Sequence, residues 1–102
     1  MYGERGRIGL ITLATDTSVL PEYARLMPDG VAVYPAPIIL PRGEVTAAAL
    51  AEMLASDQLE RAAALLVWAE VGTIVFACTS GSLVHGFGWD RELIGRIERA
   101  SG

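Results

Sequence analysis

The only cysteine of the chain, Cys78, lies in the stretch FACTSGSLVHGFG at positions 76–88, directly followed by the hydroxyls of Thr79 and Ser80. A thiol at the end of a strand and ahead of a glycine-rich turn meets outward-pointing backbone N–H groups and the positive end of any following helix dipole. Both stabilise a thiolate. Two hydroxyls beside such N–H groups form a cradle for a carboxylate or an enolate-like oxyanion. The same residues also have plain structural uses. Cysteine is among the residue types most often buried, and serine and threonine are ordinary helix caps.

A second polar cluster, TDTS at positions 15–18, holds Asp16 and Thr17. An aspartate there can orient a thiol or a substrate, or it can cap a helix. His85 has the pKa range of a general acid, and in VHGFG it also reads as a loop histidine facing solvent. Trp68 and Trp89 read as packing residues. Nucleotide motifs are missing: GERGRIG lacks the G-x-G-x-x-G spacing, and GSLVHGFG lacks the Lys-Ser/Thr of a phosphate-binding loop.

These groups need a scaffold, and the hydrophobic pattern supplies one. RIGLITLA (7–14) is a short apolar run that predicts a buried strand, and SVLPEYARLM (18–27) predicts a helix with Pro21 in its first turn. VAVYPAP (31–37) predicts a second strand terminated by its prolines. From 46 to 71 the apolar spacing is helical, with ASDQ around Ser56 able to split it in two. GTIVFAC (72–78) predicts a third strand, and Asp90 is expected to cap a last helix, RELIGRIERA. Strand, helix, strand, helices, strand, helix predicts a three-layer α/β domain on a small parallel sheet, with helices on both faces. Ligands of such sheets bind at the carboxyl ends of the strands, where both polar clusters fall.

Length and composition bound the rest. A chain of 102 residues is one domain, 1–102, burying roughly 65% of its unfolded surface. Hydrophobic residues make up 52%, more than so small a core hides comfortably, which hints at a partner surface. A net charge of −4 argues against nucleic acid or an anionic membrane as the main partner. All eight basic residues are arginine, which excludes a Schiff-base lysine and a phosphate-loop lysine. A lone cysteine forms no intramolecular disulfide, and no leader or membrane span is evident, so a cytoplasmic setting is expected.

RIGLITLATDTSVLPEY, followed some sixty residues on by IVFACTSGSLVHGFGWDREL, resembles the aspartate/glutamate racemase superfamily, in its branch of maleate cis-trans isomerases and arylmalonate decarboxylases. The resemblance covers nearly the whole chain, and ACTSGS is its most specific part. It implies one half of a two-domain, cofactor-independent and metal-free enzyme whose site lies between two similar α/β halves. Cys78 would be the first-half cysteine, and Thr79 and Ser80 the hydroxyl pair that holds a substrate carboxylate. Asp16 and Thr17 would fall on the loop after the first strand, where isomerases usually have asparagine. The cysteine favours an isomerase or racemase of a small carboxylate or dicarboxylate over a decarboxylase. The resemblance further implies that the second half, with its own acid, is missing, so that the chain is incomplete alone or works as a homodimer. A non-catalytic carboxylate-binding or interaction module remains open beside it.

Overall fold

The structure is a computed structural model and describes residues 3–78, 86 and 88–102. Its elements run β1 (Gly6–Leu13), α1 (Val19–Leu26), β2 (Val31–Ile38), a 3-10 turn (Pro41–Gly43), α2 (Ala47–Ala55), α3 (Gln58–Val67), β3 (Thr73–Phe76) and α4 (Asp90–Ser101). Thr79, Ser80 and His85 lie outside the described residues.

The three strands form one parallel sheet in the order β2-β1-β3. β1 is central, which explains its apolar run: Leu10 and Ile11 are both completely buried. Successive side chains of a strand face opposite ways. Ile11 joins the main core with Ala36, Ile38, Met53, Leu59, Leu66 and Leu93, whereas Leu10 lies outside that cluster, on the other face. The chain steps from β1 outward to β2 and then back past β1 to β3. With right-handed crossovers that reversal puts α1 on one face and α2–α3 on the other, giving three layers. Helix α4 packs against α3 in the second helical layer.

Gly9 makes the closest approach. A Cβ there would sit 2.8 Å from Leu66 Cδ1 and 3.2 Å from Val71 Cγ2, so the bare backbone lets α3 lie directly on β1.

Three expectations change. Trp68, read as a packing residue, is 88% exposed. Pro35 and Pro37 do not end the second strand; they lie within β2, which continues to Ile38. The Ala14 N–H donates to the Ile38 carbonyl at 2.8 Å, so the polar groups of Ile38, Ala36 and Tyr34 face β1, and positions 35 and 37 face the outer edge. Proline is tolerated there because no N–H is needed. Asp90 is the first helical residue of α4, not its cap; the cap position is Trp89, without a side-chain cap bond. A carboxylate in the first turn still complements the helix dipole.

The split at Ser56 is present. Ser56 Oγ donates to the Met53 carbonyl (2.6 Å) and accepts from the Gln58 N–H (3.3 Å). Gln58 then ties α3 to the end of β2: its Oε1 accepts from the Ile39 N–H (2.6 Å) and its Nε2 donates to the Ile39 carbonyl (2.9 Å). Arg96 fastens α4. Its Nε and Nη2 grip the Glu60 carboxylate at 2.8 and 2.7 Å, Nη1 donates to the Leu54 carbonyl at 2.7 Å, and Nη2 to the Ser56 carbonyl at 3.0 Å.

Candidate active site

In a sheet of order β2-β1-β3 the chain reverses direction between β1 and β3, and the carboxyl ends of those two strands flank the crevice where ligands of open α/β sheets bind. Of the two predicted clusters, the 15–18 turn and Cys78 belong to this edge. The turn at 15–18 leaves β1, and Cys78 follows β3 by two residues. The Ala77 N–H still donates to the Ile11 carbonyl at 2.9 Å, so the strand geometry carries on to the cysteine.

That geometry fixes where the thiol goes. Ile74 and Phe76 pack on the main core, and Cys78 continues their alternation onto the same face, where it is 7% exposed within the apolar cluster. Cys78 is therefore part of the main core on that face.

Asp16 is exposed and acts as the cap of α1. Its Oδ1 accepts from the Ser18 N–H (3.0 Å), the Val19 N–H (3.1 Å) and the Ser18 hydroxyl (3.2 Å). Ser18 has helical backbone angles, so the capping function falls two residues earlier, on the aspartate. The Ser18 backbone bond, followed by that of Val19, holds the Asp16 carboxyl below its ordinary range. A fixed negative charge thus stands at the carboxyl end of β1. Thr17 is exposed beside it. Asp16 and Thr17 are brought to the same edge of the sheet as Cys78, the first two on the surface and the cysteine in the core.

Sequence reasoning passed over Thr12. One residue before the end of β1, it is 5% exposed, the one buried polar residue among those described, on the face opposite Ile11. A hydroxyl inside the apolar run GLITLA is the signal that marks it. Among the described residues no group of three or more His, Cys, Asp or Glu side chains is gathered in a way that could hold a metal ion. No helix among them is long and apolar enough to cross a membrane.

A sizeable cleft among the described residues lies elsewhere. It has a volume of about 670 Å³ and opens at the other end of β3, between Gly72–Ile74, the end of α3 and the last turns of α4. Comparison of the chain with protein-family models and with curated proteins finds no match.

Proposed function

We propose that this chain forms one wall of a cysteine-dependent isomerase or racemase site for a small carboxylate or dicarboxylate, of the maleate cis-trans isomerase type. The observation that carries the reading is the position of Cys78, two residues past β3 and beside the point where the sheet reverses direction. In this reading Cys78 adds to, or takes a proton beside, a carboxylate-bearing carbon, while Thr79, Ser80 and Thr17 hold the carboxylate. Asp16 holds the loop through its cap of α1. Its charge opposes a dicarboxylate, so substrate approaches from the side of Cys78. A second acid must act from the opposite face, supplied by a C-terminal half or by a second copy of the chain. Alone, the chain is expected to turn over weakly or not at all, in a cytoplasmic setting and without a cofactor.

A second reading, a non-catalytic binding or interaction module, is favoured by the burial of Cys78 within the core. Alkylation separates the two. Under the isomerase reading, iodoacetamide modifies native Cys78 faster than the protein globally unfolds, and saturating maleate protects it. Modification that proceeds only through global unfolding, indifferent to maleate, overturns that reading in favour of the module. Vigorous Cys78-dependent conversion of maleate to fumarate by the monomer would overturn the incompleteness of the site.

A further inference from the structure

The amino-terminal end of β3 and the flank of α4 beside it present an edge that no described residue fills. Among the described residues β3 pairs only with β1. Because the Ala77 N–H points to Ile11, alternation turns the polar groups of Val75 and Thr73 toward β1 and those of Ile74 and Phe76 toward the open edge. An unpaired edge of this kind is a template for another strand. The cleft of about 670 Å³ runs along it, walled by Val67, Ile74, Ile94 and Glu98 among others. Val67 and Ile94 are 46% and 51% exposed there.

The charges on α4 select the occupant. Arg91, Ile94, Glu98 and Ser101 follow one another at three- and four-residue steps, so they form one stripe along the helix, and three of the four line the cleft. The stripe has a cation near one end, a carboxylate near the other and an exposed isoleucine between. Neither Arg91 nor Glu98 has an ion-pair partner among the described residues. Such a stripe is complementary to its own antiparallel copy: turned end for end about Ile94–Gly95, Arg91 faces Glu98 of the second copy and Glu98 faces its Arg91.

We propose that the occupant is a second copy of this chain, related by a two-fold axis normal to the sheet. The same axis pairs the two β3 strands antiparallel about Val75, so that Ile74 and Phe76 of each exchange backbone hydrogen bonds with Phe76 and Ile74 of the other. The three-stranded sheet becomes a continuous six-stranded one, with the two α4 helices side by side over the seam. Opposed directions put the two Cys78 positions about 20 Å apart along the strands, six residues at about 3.3 Å each. This pairing therefore does not bring the second copy's Cys78 to the proposed site.

Sedimentation velocity on the full chain across micromolar concentrations tests the pairing, with circular dichroism confirming that each variant is folded. The chain is expected to dimerise. Arg91→Glu and Glu98→Arg each turn two symmetric attractions into repulsions and should weaken association about tenfold or more. The double variant R91E/E98R restores the pairing with its charges exchanged and should recover most of that loss. A chain that stays monomeric overturns the proposal, and so does a dimer whose strength ignores all three variants. Either result leaves the maleate-protection experiment on Cys78 unaffected, so the two readings fail separately.

Discussion

Replacing Arg96 with alanine should destabilise the fold by about 3 kcal/mol, through loss of a contact that spans 36 to 42 residues of sequence. The guanidinium carries three separable contributions. Its two-point grip on Glu60 lies between the exposed and buried limits, since the side chains are 17% and 38% exposed. Screening by solvent at the glutamate keeps that pair to about 1–2 kcal/mol. The Leu54 carbonyl lies in the last turn of α2, where no helical N–H remains for it, and Ser56 follows at the junction with α3. Losing those two acceptors' partner costs about 0.5–1 kcal/mol each, partly offset by rehydration. The aliphatic stem of Arg96 adds a smaller packing term.

For a domain of this length, a loss of about 3 kcal/mol lowers Tm by roughly 10–20 °C. Glu60→Ala removes only the ion pair and should cost about 1–2 kcal/mol, leaving Arg96 on its two carbonyls. Urea denaturation of the wild type, R96A, E60A and the double variant reads all of these as a cycle. The hydrogen bond from Arg96 holds the Glu60 carboxyl below its ordinary 4.5. A carboxyl lowered in the folded state contributes fully above that ordinary value and loses its contribution as pH falls through and below it. The gap between wild type and E60A should therefore close on acidification below about pH 4.5 and hold steady at neutral pH. If R96A cost no more than E60A, or less than about 1 kcal/mol, the capping of the α2–α3 junction by Arg96 would be refuted.

Two further substitutions probe the scaffold under the site. Gly9→Ala forces a methyl to within 2.8 Å of Leu66 Cδ1 and 3.2 Å of Val71 Cγ2, and thermal denaturation should show a loss of about 1–3 kcal/mol; a neutral change would mean that α3 can lift from β1 without cost. Asp16→Ala removes the acceptor of two backbone N–H groups at the start of α1, and hydrogen exchange should show faster opening of that helix while α3 and α4 are unchanged; uniform protection across all helices would contradict the cap.

Much of the architecture is legible in the apolar pattern alone. The run around Leu10 and Ile11 reads as a buried strand because β1 is central, and Ser56 marks the break between α2 and α3 because its hydroxyl satisfies the backbone there. What misleads is what depends on neighbours. Pro35 and Pro37 look like terminators until β2 is known to be an edge strand, and no local signal directs Arg96 to Glu60 or Gln58 to Ile39, since those contacts exist only once distant segments have packed.

Cys78 is the instructive case, because the sequence contains its orientation as well as its position. Ile74, Phe76 and Cys78 alternate in phase, and a period of two sends all three to one face. Once helical segments from α2 to α4 are assigned to that face, the thiol belongs to the core, while the hydroxyls that make ACTSGS look like a site come after it in the chain. Position at the edge of a parallel sheet argues for chemistry, and strand phase argues for packing. The two arguments meet in one measurable quantity, the rate at which native Cys78 becomes accessible relative to global unfolding. A thiol that serves as a base must be reached by local motion of the layer above it, whereas a thiol that only fills the core is reached when Leu59, Leu66 and Leu93 are exposed along with it.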